Sequence, residues 1–240
     1  GRKATGRDVV LATGLGSTET SPFALAFTEV QDQAGNVGVP ARGLVLKLVP
    51  SGGKLEARLK GPTITPGYYR DAAKTAETFD EEGFYALGDA LRPVDPNDFS
   101  KGFLFDGRVA ENFKLATGTW VAVGAVRAAL VDALGGLVRD AVVVGEDRAE
   151  LGALLLLSDA ALKMPAAERQ AALTAALASA AKTTTGSASR VCRAVVMEVP
   201  PSFDRGEVTE KGSLNQRALR AGRTEEIAKL YAGGDGVIEV

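Results

Sequence analysis

VRDAVVVGEDRAELGALLLL, residues 138–157, reads as two short strands, Val138–Val144 and Leu151–Leu157, joined by a polar turn. Apolar runs this short, bounded by charge and glycine, fit strands rather than helices. On either side the period changes. Residues 123–134 carry apolar side chains at helical spacing and stop at Gly135-Gly136, a helix-ending pair. Pro165 opens an alanine-rich segment to residue 181, made of strong helix formers, with residues 183–189 as its exit loop. Residues 191–199 read as a further strand, and a last helix is expected over about 214–231, with Thr224, Glu225 and Glu226 interrupting it. Strands alternating with helices argue for a small open α/β sheet with helices packed on it.

Upstream the pattern is different. Residues 9–13, 23–30, 44–49 and 54–59 form short β-like runs, and Gly52-Gly53 and Gly61-Pro62 punctuate them as turns. Residues 71–79 read as one short helix opened by Asp71, a favourable N-cap. The chain therefore reads as mixed α/β, with a β-rich part over 1–108 and an α/β part over 109–240. It contains no internal repeat.

Composition narrows the chemistry. With 240 residues, 45% of them hydrophobic, the chain can bury a substantial core. A net charge of -2 without a dense Lys/Arg block leaves no electrostatic footprint for nucleic acid or anionic lipid. Histidine is absent and Cys192 is the sole cysteine, so no His-based triad, Cys/His zinc site or intrachain disulfide can form within this chain. Cys192 lies in an apolar run and is expected to be buried and structural, in a reducing, cytoplasmic setting. No apolar stretch is long enough to span a bilayer.

Several polar groups stand out against ordinary readings. Gly14 to Thr20 combines glycine, hydroxyls and the Glu19 carboxylate: Gly16 permits close backbone approach to an anion, Ser17 and Thr18 can donate to phosphate oxygens, and Glu19 can hold Mg²⁺. Such clusters are more often plain turns. Asp89 after Gly88 can accept from two neighbouring hydroxyls or simply close a turn on its own backbone. Arg108 offers a guanidinium to phosphate or ribose oxygens, or is a solvated linker charge. Lys211, between Glu210 and Gly212, can carry a compact cation to a site formed elsewhere, although most exposed lysines are only solvated.

The order of the pieces separates these readings. VGVP at 37–40, LKGP at 59–62, PGYY at 66–69, TAETFD at 75–80, Gly88-Asp89, Gly107-Arg108, Lys114, Gly118 and Lys211 together resemble the acyl-CoA synthetase family of adenylate-forming enzymes over essentially the whole chain. The runs AENFKLATGTWV at 110–121 and GEVTEKGSLNQR at 206–217 look most like feruloyl-CoA synthetases.

The resemblance implies the end of a large N-terminal AMP-binding domain with a small β-barrel-like subdomain, followed by a mobile α/β lid. Thr18 would contact the AMP phosphate, with Gly16 and Ser17 in the same loop. Glu19 would bind Mg²⁺, Asp89 the ribose hydroxyls, and Arg108 the nucleotide near the hinge. Lys114 and Gly118 would serve the coenzyme A side, and Lys211 would promote adenylation. The partners implied are ATP, coenzyme A and an aryl or acyl carboxylate, a hydroxycinnamate in the first instance.

Differences from the family pattern are local, except one. Leu15 stands where an adenine-stacking aromatic is usual, Leu87 replaces a Thr before Gly88, Ala110 replaces an acidic hinge residue, and one extra residue separates Lys114 from Gly118. The larger difference is that no Ser/Thr/Gly-rich phosphate loop ending in Pro-Lys-Gly occurs, so the chain is expected to be the later part of such an enzyme. Two further readings stay open: a noncatalytic fragment or docking subunit, and an adenylating enzyme that loads a carrier protein.

Overall fold

The computed structural model describes Gly6, residues 12–27 and residues 33–240, and the chain divides into two compact units, Gly1–Val109 and Ala110–Val240. The architecture is mixed α/β.

In the first unit, β1 (Gly14–Ser17), β2 (Ser21–Ala26) and β3 (Val39–Pro40) form one antiparallel sheet. A second antiparallel sheet is a simple meander of β4 (Val45–Ser51), β5 (Lys54–Lys60), β6 (Tyr85–Pro93) and β7 (Phe103–Arg108). Neither sheet closes into a barrel among the described residues. Leu25, Ala57, Leu59, Leu91 and Phe103 form the buried centre of this unit. Helix α1 (Ala72–Thr78) starts where its sequence places it, the Asp71 carboxylate accepting from Lys74 N–H at 2.9 Å.

Several local expectations change here. Of the run at 9–13, residues 9–11 lie outside the described residues and the remaining two lie outside any strand; of 23–30, residues 28–30 lie outside them. Gly14–Ser17, read as a loop, is itself a strand. Gly88-Asp89 is no terminal turn either: Gly88 takes φ 74° inside β6, and the register shifts between Asp89 and Leu91, which is a bulge. Arg108 is likewise the strand partner of Asp89, not a linker charge.

The second unit opens with a two-residue hairpin pair, β8 (Phe113–Lys114) and β9 (Trp120–Val121), before helix α2 (Val123–Ala133). Its sheet runs β10 (Val138–Val144), β11 (Leu151–Leu157), β12 (Val191–Val196) and β13 (Val237–Glu239) in that order. β10/β11 and β12/β13 are antiparallel, whereas β11/β12 are parallel. A parallel pair needs a crossover, and the short α3 (Asp159–Leu162) with the long α4 (Ala166–Thr183) supplies it.

Alternation along the strands divides the core in two. Ala141, Val143, Ala153 and Leu155 face Val126 and Leu130 of α2 and Leu173 and Leu177 of α4. Val142, Val144, Leu154 and Val195 face Leu219 of α5 (Gln216–Gly222) and Leu230 of α6 (Thr224–Ala232). The last helix is thus two helices broken at Arg223, close to where the sequence interrupts it. Cys192, expected to be buried, is half-buried near the start of β12, beside the half-buried Arg193.

β10 is an edge strand, and its open polar groups are closed by a side chain. Gln216, fully buried, accepts from Val143 N–H at 3.1 Å and donates to the Ala141 carbonyl at 2.8 Å. Gln216→Leu keeps volume but orphans both backbone groups, at about 1–3 kcal/mol each. The expected result is a lower urea midpoint with an unchanged m-value, measured by chemical unfolding.

Candidate functional site

The β1–β2 hairpin presents the first candidate group. Its turn is closed by Thr20, which is fully buried and whose Oγ1 accepts from Ser17 N–H at 2.9 Å. Gly16 is needed for packing inside the hairpin, since a Cβ there would come within 2.6 Å of the Ser21 carbonyl. Thr18 at the tip is exposed, and Glu19 is half-buried.

Glu19 is held at both ends. Its carbonyl accepts from Thr65 N–H at 2.7 Å and its Oε1 accepts from the Tyr68 hydroxyl at 2.9 Å. Burial pushes the Glu19 carboxyl up, but its own N–H, the Ser17 and Tyr68 hydroxyls and the Lys74 ammonium together outweigh burial and leave it below its ordinary value. It is therefore an anion at neutral pH.

Tyr68 lies 3.5 Å, oxygen to oxygen, from Tyr85, which is 6% exposed on β6. Burial, the Tyr68 bond and the charges of Glu19 and Asp89 all push the Tyr85 phenol far up, so it stays neutral. Glu19 is thus bonded to one phenol of the pair, and the charge of Asp89 acts on the other. Asp89 in turn is 7% exposed and faces Arg108 across the β6–β7 pair, with Nε to Oδ1 at 3.4 Å. The Arg108 side chain is 67% exposed, so that ion pair is worth little and the guanidinium is available to a ligand anion. Beneath it Lys54 braces the corner, donating to the Asp106 carbonyl and lying 3.3 Å from Asp106 Oδ1.

This arrangement suits a phosphorylated, hydroxyl-bearing ligand: hydroxyl and guanidinium donors for anionic oxygens, and a buried carboxylate for neighbouring hydroxyls. No group of three or more carboxylate or thiol ligands forms a metal cage among the described residues. A single ionised carboxylate such as Glu19 does fit Mg²⁺ of the kind shared with substrate phosphates.

The other candidates lie in the second unit. Lys114 and Gly118 share the β8–β9 hairpin, where Lys114 Nζ sits 5.0 Å from the Trp120 ring centre and Gly118 takes φ 80° in the turn. Lys211 is exposed on a separate turn, closed by Gly212 N–H to the Thr209 carbonyl at 2.8 Å. Sequence reasoning missed Tyr68, Tyr85 and Lys54. PGYY at 66–69 was the available signal for Tyr68, while Lys54 becomes visible only once β5 is paired.

Residues 114–235, just over half of the chain, match the family described as AMP-binding enzyme C-terminal domain. The chain belongs to this family. It is 26% identical over 240 residues to a chloroplastic long-chain-fatty-acid–[acyl-carrier-protein] ligase of Arabidopsis thaliana, covering 93% of this chain and 33% of that one. To human long-chain-fatty-acid–CoA ligase 1 it is 34% identical over 117 residues, 45% of this chain and 16% of the relative. Among solved structures it superposes with a TM-score of 0.71 on the adenylation domain of a carboxylic acid reductase from Segniliparus rugosus, in complex with AMP and a co-purified carboxylic acid. That match is 28% identical and covers 92% of this chain and 35% of that one. The chain spans about a third or less of the length of these relatives. No helix among its described residues is long and apolar enough to cross a membrane.

In an NMR titration of the carboxyl carbons, Glu19 is expected to titrate below an ordinary glutamate. Tyr68→Phe removes one donor to the ionised form, so the midpoint moves upward; an unchanged midpoint would show that the Tyr68 bond does not hold the carboxylate.

Proposed function

We propose that this chain is the C-terminal part of an ATP-dependent ligase that adenylates a carboxylate and passes the acyl group to the thiol of coenzyme A. The observation that carries the proposal is the linked set Glu19–Tyr68–Tyr85, with the Asp89–Arg108 pair on the same β6 strand as Tyr85, in a member of the AMP-binding enzyme family. On this reading Thr18, beside Gly16 and Ser17, donates to the AMP phosphate, Asp89 accepts from the ribose hydroxyls, and Arg108 binds the nucleotide. Glu19 would hold Mg²⁺, which neutralises charge on the phosphate oxygens.

In the first half-reaction a carboxylate oxygen bonds to the α-phosphorus of ATP and pyrophosphate leaves. Lys211 offers a point charge to the oxygens between the two groups as that charge develops. In the second, the thiolate attacks the acyl carbonyl and AMP leaves, with the Lys114–Trp120 hairpin serving the thiol side in place of Lys211. Positioning and electrostatic stabilisation carry both steps, which suits a chain with no histidine. Residues 1–108 would then be the end of the nucleotide-binding domain and 109–240 a lid that presents a different face in each half-reaction. The hydroxycinnamate substrate, feruloyl above all, rests on the runs at 110–121 and 206–217, and a cytoplasmic setting on the single reduced cysteine.

A second reading, loading of a carrier protein, is favoured by the acyl-carrier-protein ligase relative. Product on a phosphopantetheinyl carrier with none on free coenzyme A would select it.

In the complete enzyme, Lys211→Ala is expected to abolish carboxylate-dependent ATP–pyrophosphate exchange while sparing thioester formation from supplied acyl-adenylate. Equal loss in both assays would defeat the role of Lys211. Asp89→Asn should weaken AMP binding about tenfold, about 1.4 kcal/mol by titration calorimetry.

A further inference from the structure

The turn that carries Lys211 rises from a buried polar base. Glu207 is 3% exposed, and its carboxylate accepts from Ser202 N–H at 2.9 Å, Arg205 Nε at 2.9 Å, Arg223 Nε at 2.6 Å and Arg223 Nη2 at 2.9 Å. Arg223, 7% exposed, donates through Nη1 to the Val199 carbonyl at 3.0 Å and to Glu226 Oε1 at 2.6 Å. The Glu207 backbone is tied as well: its N–H donates to the Ser202 carbonyl at 3.0 Å and its carbonyl accepts from Asn215 N–H at 2.9 Å.

From that base the two arms of the turn rise together. Val208 bridges Leu214, and Thr209 N–H donates to the Ser213 carbonyl at 2.8 Å. Leu214 is buried in the core beneath, and Asn215 caps α5, its Oδ1 accepting from Ala218 N–H at 3.2 Å. Arg223 closes α5 and opens α6 with φ -106° and ψ 38°, so the helix breaks where the guanidinium meets Glu207.

A buried ion pair is weak evidence for stability, because desolvating two charges offsets most of their attraction and apolar pairs of similar volume often serve as well. What it supplies is direction. A carboxylate bonded through both oxygens to a planar guanidinium fork cannot rotate. The Arg223 bonds, working against burial, hold the Glu207 carboxyl down at about 2, so the pair stays charged at any working pH.

We propose that Glu207 and Arg223 are positioning residues for Lys211, their buried pair fixing the direction in which the turn presents its ammonium. This rests on the adenylation role of Lys211 given above.

The test replaces the pair with apolar groups, Glu207→Met with Arg223→Met, in the complete enzyme, beside Lys211→Ala. The double variant is expected to stay folded at the assay temperature, with a melting temperature lowered by the orphaned Ser202 N–H and Val199 carbonyl, and to keep its KM for ATP within about twofold. Its kcat for pyrophosphate exchange should fall at least tenfold, with thioester formation from supplied acyl-adenylate unchanged, a split that loss of fold cannot produce. Undiminished exchange in the double variant, with exchange lost in Lys211→Ala, overturns the positioning role alone. Exchange retained in Lys211→Ala overturns the catalytic reading and this inference with it. If the double variant does not fold, Glu207→Gln, which keeps the volume, carries the same comparison: a selective fall in exchange kcat supports the role and an unchanged kcat overturns it.

Discussion

Leu151–Leu157 is buried almost throughout, on both faces of its sheet, and the rest of the second unit answers that constraint. A strand with leucine on both sides needs a cover on each. The crossover through α3 and α4, with α2, covers one side; α5 and α6 cover the other. The chain reaches the second cover only by passing from β12 along residues 197–215, and this passage is where Lys211 sits. The turn is therefore the entry to a core helix, with Leu214 buried on one side of it and Gln216 locked to the β10 edge just beyond.

The first unit shows the complementary economy. Its candidate groups stand on strands or in a tight hairpin turn, not on long loops, and the anionic ones are each tied by a neighbour from elsewhere in the unit: Glu19 by Tyr68, Asp89 by Arg108, the Asp106 corner by Lys54. Two carboxylates near two phenols in a partly buried site is an arrangement that repels added negative charge. It becomes useful when the ligand brings hydroxyls to one carboxylate and a shared cation to the other, while Thr18 and Arg108 take the anionic oxygens.

The strand bounds Val138–Val144 and Leu151–Leu157 and the N-cap at Asp71 are legible in the sequence because each depends on local pattern alone. β6 and β7 are not, since Gly88 and Gly107, both at positive φ, imitate turn punctuation inside paired strands. β13 is too short to show a period, and it exists because β12 needs a partner on that side. Among the candidate site residues, those embedded in recognisable runs are visible, Lys211 and Asp89 among them. Tyr85, Lys54 and the Glu207–Arg223 pair matter only through partners distant in sequence, and one chain without its pairing cannot show that.

Adenylate chemistry of the kind proposed asks for fixed anions and well-aimed cations. Of the carboxylates here, Asp89 is on a strand, where a shift of one ångström requires a whole ladder to move, and Glu19 is in a tight turn held by Thr65 and Tyr68. Both lysines, Lys114 and Lys211, stand on short hairpins, which have little packing of their own. A long flexible side chain at the tip of such a turn has wide freedom unless its base is pinned, and misplacement by one ångström can cost about a hundredfold in rate. Lys114 gains its direction from the Trp120 ring beside it. For Lys211 no such neighbour lies at the tip among the described contacts, so its direction has to come from below, from the paired arms and the buried charges on which they rest.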